Sequence, residues 1–329
     1  MDKPYVMGVD IGGTNTEFGV VDVRGQIKYS GKIPTANYAT GEEYVAALAP
    51  ALNKLVAEAG GKELFNGIGV GAPNGNYYTG CMEFAPNVIW AKEGAVPLAK
   101  MIGEETGLPC ALTNDANAAA IGEMTYGVAK GMKNFIMITL GTGVGSGIVI
   151  NGQLVYGSDG FAGELGHVIM RRTDGRLCGC GRHGCLETYA SATGVARTAR
   201  EILELNKDRE SLLRNVPIDK IQSKDVYEAA VAGDKVAKEI FEYTGNILGE
   251  ALADAVAFSS PEAIILFGGL AKAGDLISKP IEESMTRNML KIFKVRGENK
   301  CKAKLLFSEL EDAEAAILGA SALAWEFKD

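Results

Sequence analysis

The stretch Val9-Asp10-Ile11-Gly12-Gly13-Thr14 ends one apolar segment, turns, and leads into a second apolar segment. Residues 5–9 and 17–23 on either side of it are apolar and rich in β-branched residues, which predicts two strands joined by a Gly/Thr turn. The same arrangement returns at 135–150, where Gly141–Gly145 separates two apolar runs. The echo predicts two related α/β halves, each beginning with a strand, a loop and a strand.

The remainder of the chain mixes short strands with amphipathic helices. Further strands are predicted at 26–33, 68–71, 111–113, 263–267 and 303–307, and helices at 43–59, 96–106, 116–126 and 313–327. Residues 194–258 are mostly helical in pattern, and a Pro/Asn/Gly-rich loop reaches to about Pro86. This order of elements favours an α/β protein with two lobes.

Length, charge and the distribution of apolar residues exclude several classes of function. A chain of 329 residues favours two domains. Its formal net charge of −8 gives no basic surface for nucleic acid or an anionic membrane, and no apolar run is long enough to cross a bilayer. Without a signal-peptide pattern, we expect a soluble cytoplasmic protein with no nucleic-acid or membrane partner.

The glycine-rich loops are candidate phosphate-binding elements. Without a Cβ, glycine lets backbone N–H groups approach an anion closely. Asp10, at the end of an apolar strand, is unfavourable there unless it faces a cleft or a cation. Each loop alone is also typical of a hairpin turn, but two such loops together with Gly268-Gly269 favour nucleotide binding. No P-loop pattern occurs, and the Gly-x-Gly-x-x-Gly match at Gly179–Gly184 is threaded with cysteines and opens no clear helix.

A cysteine cluster predicts a zinc site. Cys178, Cys180 and Cys185 fall within eight residues, a spacing typical of metal binding in a chain without export signals. Zinc prefers four tetrahedral ligands, so a fourth is required. The two histidines of the chain, His167 and His183, both lie nearby; the spacing favours His167 and leaves His183 as the alternative. Such a closed shell is typical of structural zinc rather than catalytic zinc.

Acidic and amide side chains form a further candidate site. Asn114-Asp115 stands at a predicted strand-to-helix junction, where a plain helix cap is the alternative interpretation. Glu164 and Glu187 bracket the cysteine cluster. Carboxylates and a carboxamide suit a polyol substrate, whose hydroxyls need paired donors and acceptors, and one carboxylate would serve as general base.

Taken together these motifs resemble the ROK family of sugar kinases and repressors. The resemblance rests on five segments in order: 10–14, 112–118, 141–145, 163–167 and 178–187. It implies an actin-like (ribonuclease H-like) ATPase fold with two lobes and an active site in the cleft between them. It also implies an ATP-dependent kinase that phosphorylates the 6-hydroxyl of glucose or a related hexose, commonly as a homodimer.

The resemblance also implies residue roles. Asp115 would be the general base, and Mg²⁺ would be positioned by Asp10. The sugar would be bound by Asn87, Asn114, Asp115, Glu164, His167 and Glu187. The nucleotide would contact Asp10, Gly12, Gly13, Thr14, Asn15, Gly141, Thr142, Gly143, Gly268 and Gly269. A structural Zn²⁺ would be held by His167, Cys178, Cys180 and Cys185. A small lobe of residues 1–115, completed by a C-terminal helix at about 312–329, would precede a large lobe of 116–311.

Three departures from the family pattern bear on these roles. The Gly-x-Pro-Gly loop reads Gly71-Ala-Pro-Asn74-Gly75 here, and Asn tolerates the left-handed backbone such a turn needs. Asn15 stands where many members have Lys, which removes one phosphate contact. The segment between His167 and Cys178 is one residue longer than the commonest form.

Several other functions are compatible with parts of this pattern. Kinases of N-acetylglucosamine, N-acetylmannosamine or fructose are the nearest alternatives. A sugar-responsive repressor would need an added helix-turn-helix segment, for which the early glycine loop leaves no room. An actin-like chaperone or cytoskeletal ATPase is disfavoured by the cysteine cluster and the Glu/His set.

Overall fold

The computed structural model describes residues 3–310 and 312–327. Two compact units account for these residues. The first comprises 3–132, 147–163 and the described part of 308–327; the second comprises 133–146 and 164–307. The chain therefore passes between the units more than once.

The strands agree closely with the apolar runs of the sequence. They are β1 (Tyr5–Ile11), β2 (Asn15–Asp22), β3 (Ile27–Pro34), β4 (Phe65–Gly71), β5 (Gly75–Asn76), β6 (Cys81–Glu83), β7 (Ala95–Val96), β8 (Cys110–Thr113), β9 (Phe135–Leu140), β10 (Val144–Ile150), β11 (Gln153–Leu154), β12 (Ala263–Phe267) and β13 (Lys304–Phe307). The predicted strand–turn–strand units at both halves are confirmed as β1–β2 and β9–β10.

The helices begin at side-chain caps in several cases. They are α1 (Gly41–Glu58), α2 (Leu98–Thr106), α3 (Asp115–Thr125), α4 (Glu187–Ala190), α5 (Ala192–Leu205), α6 (Ser223–Val231), α7 (Lys235–Ser259), α8 (Asp275–Asn288) and α9 (Asp312–Leu323). Thr40 caps α1 by accepting from the Glu43 N–H, and Asp234 caps α7 in the same way from Ala237. Among the described residues, no helix combines the length and the apolar character needed to cross a membrane.

The first unit is built on a five-stranded sheet in the order β3-β2-β1-β4-β8. Its central strand β1 pairs antiparallel with β2 and parallel with β4. Because β1 is covered on both faces, it reads as a nearly continuous apolar run. Helix α1 contributes Tyr44 and Leu48 to the core on one face. On the other face α9 lies so close that a Cβ on Gly8 would fall on the Ile317 carbonyl, and one on Gly69 on that of Ala320.

The second sheet repeats this order as β11-β10-β9-β12-β13. In the second unit β9 is parallel to β12, which in turn is parallel to β13. Helices α7 and α8 pack against each other beside it. The equal order of the two sheets agrees with the two related α/β halves expected from the sequence.

The unit boundaries differ from the lobes expected at 1–115 and 116–311. Helix α3 belongs to the first unit because it packs on α9, where Gly122 meets Gly319 without room for a side chain. Residues 147–163 also belong to the first unit. Residues 1–2, 311 and 328–329 of the expected lobes lie outside the described residues. The loop expected from 71 to about 86 contains β5 and β6, and α8 was not expected.

Candidate active site

Asp10 and the glycine turn lie together in the first unit. Asp10 is the penultimate residue of β1, opposite Glu17 on β2 and Gly71 on β4. The turn that follows is closed by the Gly12 N–H, which donates to the Asn15 carbonyl over 2.9 Å. The backbone of the turn is thus that of a hairpin, and Thr14 at its tip is exposed and can meet a ligand.

Asn87 comes up against this turn. It is exposed, and a Cβ added to Gly13 would lie 3.1 Å from the Asn87 carbonyl oxygen. Glycine at this position lets the turn approach the segment that carries Asn87. The predicted phosphate loop and one predicted sugar ligand are therefore neighbours within the same unit.

Asn114 and Asp115 begin α3. The Asn114 side chain is the N-cap and accepts the Asn117 N–H over 2.7 Å. Asp115 is the first helical residue, with Oδ1 2.8 Å from the Ala116 N–H. The capping interpretation therefore holds for Asn114, whereas Asp115 stands at the positive end of the helix with its surface accessible to solvent.

Asp10 and Asp115, the two aspartates of the candidate site in the first unit, have raised pKa values. Desolvation raises the pKa of Asp10 from 3.8 to about 7, and the charges of Asp115 and Glu17 add to the effect. Desolvation also raises the pKa of Asp115, although part of this residue is exposed to solvent. Hydrogen bonds from backbone N–H groups, including that of Ala116, act in the opposite direction but are weaker. Two carboxylates whose charges interact in this way favour a bound cation between or beside them.

The cysteine cluster is assembled in the second unit. The ligand atoms of His167, Cys178, Cys180 and Cys185 all lie within 4.8 Å of one another. The Cys178 Sγ is 3.8 Å from His167 Nδ1, and the Sγ atoms of Cys180 and Cys185 are 3.6 Å apart. Tetrahedral Zn²⁺ with the usual bond lengths has ligand–ligand edges of about 3.5–3.8 Å, so this set fits zinc.

The alternative histidine is engaged elsewhere. His183 is exposed, and its Nδ1 lies 3.0 Å from the Gly175 carbonyl.

The pKa of Cys180 is low. Desolvation acts against the Cys180 thiolate, but hydrogen bonds from Arg182 and from the neighbouring thiols lower the pKa of Cys180 to about 6. A thiolate at neutral pH is the form that binds a metal.

Two glutamates flank the cluster. Glu164 is exposed, and its Oε2 lies 3.9 Å from His167 Nε2, the ring nitrogen that faces away from the cysteines. Glu187 is the first residue of α4; its Oε1 is 3.7 Å from the Cys178 Sγ, and its Oε2 accepts the Val144 N–H over 3.1 Å. Glu187 thereby links the cysteine cluster to the glycine loop of the second unit.

The Gly141–Gly145 loop is held from below by the start of α5. The Ala192 N–H donates to the Gly141 carbonyl over 2.8 Å, and the Thr193 hydroxyl donates to the Thr142 carbonyl over 2.7 Å. A Cβ on Gly143 would overlap the Glu187 carboxylate. The loop leaves Gly141 and Thr142 exposed while its carbonyls are fixed, an arrangement that suits contact with phosphate.

Gly268-Gly269 follows β12 and borders a cavity. Gly268 has φ +100° and lies against the Leu140 backbone, while Gly269 faces open space. The adjoining cavity has a volume of about 270 Å³, and its lining includes Tyr227 of α6, Phe241 of α7 and Lys272. These lining residues and Thr193 were missed from the sequence. Lys272 could have been predicted from the sequence, because it lies only three residues after the glycine pair.

The family follows from comparison with known proteins. The pattern that defines the ROK family matches residues 6–326. The chain belongs to the ROK family. The family inferred from the five sequence segments is thus confirmed, and so is the α/β fold: ROK sugar kinases have the two-lobed, actin-like ATPase fold.

Within the ROK family the chain is similar to glucokinases. It is 40% identical to a glucokinase of Halalkalibacterium halodurans over 86% of each chain, and 38% identical to a glucokinase of Streptomyces coelicolor over 97% of each. Among solved structures, it matches a ROK family glucokinase of Streptomyces griseus in complex with glucose and AMPPNP. That match has 36% identity and a TM-score of 0.78 and covers 98% of this chain and 99% of the other.

One departure from the ROK pattern is accommodated by the backbone. Asn74, where the pattern has glycine, adopts φ 51°. Its side-chain amide donates to the Phe84 carbonyl over 3.1 Å, which helps to hold the turn. The expectation that the left-handed turn survives with Asn is confirmed.

Proposed function

We propose that this ROK protein is an ATP-dependent glucokinase that phosphorylates the 6-hydroxyl of glucose. The observation that carries the proposal is the likeness to glucokinases over almost the whole chain, including one whose structure holds glucose and the ATP analogue AMPPNP. The raised pKa values of two neighbouring carboxylates and the convergence of three cysteines and a histidine support a built active site in the same regions.

Asp115 is the proposed general base. The 6-hydroxyl oxygen of the sugar forms a bond to the γ-phosphorus, the bond from that phosphorus to the β–γ bridging oxygen breaks, and ADP leaves. The hydroxyl proton passes to the Asp115 carboxylate. A raised pKa suits this role because it makes the ionised carboxylate a stronger proton acceptor.

Phosphate and cation contacts fall to the glycine loops and Asp10. When bound, Mg²⁺ neutralises charge on the transferred phosphoryl group, and Asp10 is the residue proposed to hold it. The turn Gly12–Asn15 and the loop Gly141–Gly143 would lie against the phosphates, with the N–H groups of Gly12 and Gly141 already used to close the turn and the loop. The cavity beside Gly269, with Tyr227 in its wall, would receive the adenosine. Each of these groups positions the reactants, which is most of what phosphoryl transfer requires.

Zinc is proposed as a structural ion. His167, Cys178, Cys180 and Cys185 would supply the four ligands of such an ion, which would hold these side chains in place and leave no position for substrate. His167 directs Nδ1 to the cluster and Nε2 outward beside Glu164, so this nitrogen would meet a sugar hydroxyl. Asn87, Asn114, Glu164 and Glu187 complete the proposed sugar ligands. The homodimer and the cytoplasmic location stay predictions of the sequence.

An ATP-coupled assay across sugars tests the proposal. Glucose, mannose, fructose, N-acetylglucosamine and N-acetylmannosamine are each titrated with saturating ATP and Mg²⁺, and the phosphorylated position is read by NMR. We expect the highest kcat/KM for glucose and phosphate on the 6-oxygen. A higher kcat/KM for an N-acetylhexosamine or fructose would assign the chain to the corresponding kinase instead.

A further inference from the structure

A chain of three buried hydroxyl groups lies behind the glycine turn of the first unit. The Thr16 Oγ1 is 2.8 Å from the Thr35 Oγ1 and 2.8 Å from the Tyr44 Oη. All three side chains have no accessible surface. Buried hydroxyls are unfavourable unless they are hydrogen-bonded, and apolar side chains of similar size would fill the same space without that penalty.

The hydroxyl chain is attached directly to the turn. Thr16 is the second residue of β2, immediately after Asn15 at the end of the turn. Thr35, the residue after the neighbouring strand β3, donates its backbone N–H to the Thr14 carbonyl over 2.8 Å. The far side of the turn is therefore fixed at two points, through the position of Thr16 and through the carbonyl of Thr14.

The same group of residues also holds the segment that carries Asn87. Trp90 lies in the 3₁₀ turn Ile89–Ala91, three residues after Asn87, and its indole N–H donates to the Thr35 carbonyl over 3.1 Å. The indole ring stacks on Tyr44 with ring centroids 4.6 Å apart. The backbone of Asn87 lies so close to Gly13 that a Cβ added there would be 3.1 Å from the Asn87 carbonyl oxygen. One buried cluster thus contacts both loops of the first unit.

We infer that Thr16, Thr35, Tyr44 and Trp90 form a positioning network that fixes the Gly12–Asn15 turn and the Asn87 segment relative to each other. The inference rests on the proposed function for the roles of these two loops. In the proposed reaction one loop meets the nucleotide phosphates and the other meets the sugar, so their separation sets the distance between donor and acceptor. All four residues are buried, and the inferred role of each is to position the two loops and not to contact a reactant.

Directional bonding distinguishes this network from ordinary core packing. Apolar contacts favour burial but tolerate small shifts of one element past another. Hydrogen bonds weaken steeply with distance and angle, so a fully bonded hydroxyl chain selects a single geometry. Displacing the reacting groups by about 1 Å is sufficient to slow an enzyme by about a hundredfold.

Thr16→Val tests the network because valine keeps the shape and removes the hydroxyl. Hydrogen exchange of the backbone amides is measured in the full chain without ligands. We expect amides of 12–15 and 85–91 to exchange at least about tenfold faster in Thr16→Val, since two buried hydroxyls lose a partner. Thr16→Ser, which keeps the hydroxyl, should restore slow exchange. Val56→Ala, a cavity at the far end of α1 in the same core, serves as the matched control for lost stability.

Kinetics separate positioning from stability. We expect Thr16→Val to lower kcat for glucose about tenfold or more with KM values within about threefold, and Thr16→Ser to remain within about twofold of the natural protein. Trp90→Phe should raise the KM for glucose while the KM for ATP stays unchanged. The inference is overturned if Thr16→Val and Val56→Ala accelerate exchange in the same regions, or if neither loop responds. If the natural protein does not phosphorylate glucose, the proposed function is refuted. The hydrogen-exchange result would still show whether the positioning network exists.

Discussion

Asp10→Asn is expected to stabilise the protein, and by an amount that grows with pH. The folded state raises the pKa of Asp10 to about 7 from its ordinary 3.8, chiefly by desolvation. As pH rises, the carboxyl group of Asp10 loses its proton in the unfolded chain before it does so in the folded protein. Between about pH 4 and pH 7 the folded state therefore binds one proton more than the unfolded state. The free energy of unfolding therefore falls with rising pH across that window. Asparagine has a similar shape, carries no charge, and does not titrate.

The magnitude follows from the shift. One pKa unit corresponds to about 1.36 kcal/mol, so ionising Asp10 in the folded state costs about 4 kcal/mol at high pH. Between pH 5 and pH 8, the stability difference between Asp10→Asn and the natural protein should grow by about 3 kcal/mol and level off above pH 7. Urea unfolding in Mg²⁺-free buffer, followed at half-unit steps of pH, measures this difference.

A control in the same sheet sharpens the test. Desolvation acts to raise the pKa of Asp22, but hydrogen bonds from Gln26, Lys28 and Arg24 outweigh it and lower the pKa. Asp22 therefore titrates below its ordinary range, and Asp22→Asn should show a difference that is flat from pH 5 to pH 8. A flat difference for Asp10→Asn as well would refute the reasoning that Asp10 is held in a desolvated, like-charged site.

Two further substitutions test the chemistry. Asp115→Asn should lower kcat by about three orders of magnitude, as the loss of a general base does, while calorimetry shows glucose affinity within about threefold; retained turnover would contradict the base assignment. In the natural protein kcat/KM should fall as pH drops, with an apparent pKa above 3.8, because desolvation raises the pKa of Asp115 and only its ionised form accepts the proton. Cys178→Ser should release zinc by metal analysis, lower the thermal midpoint, and raise the KM for glucose roughly tenfold, the size of one lost hydrogen bond to the sugar. Cys81→Ser lies outside the cluster and should keep its zinc and its KM; an unchanged zinc content in Cys178→Ser would remove Cys178 from the ligand set.

Features encoded by local spacing could be predicted from the sequence. The central strands can be recognised in the sequence as apolar runs, and the glycines between β1 and β2 indicate the turn that joins them. The three cysteines are near neighbours along the chain, so their convergence needs no knowledge of the fold. The choice between His167 and His183 was harder, because it depends on how the intervening loop folds back.

Features set by distant packing could not be predicted. β5 and β7 have two residues each, too few to show a period. The placement of α3 with the first unit depends on α9, almost two hundred residues later, and no local signal carries that contact. Likewise Thr16 and Tyr44 are 28 residues apart, and nothing in either residue type alone indicates a shared hydrogen bond.

The glycines beneath α9 have a consequence for the order in which the molecule is made. Gly8 and Gly69 offer α9 a bare peptide surface on this face of the sheet, where a Cβ would overlap its backbone. A ribosome produces β1 and β4 well before α9, so the part of this face that α9 covers stays uncovered until α9 has been made. A nascent chain that stops before α9 would display an apolar sheet to the cell. We therefore expect chains truncated before α9 to depend on chaperones, and chains that include α9 to be released from them when α9 docks.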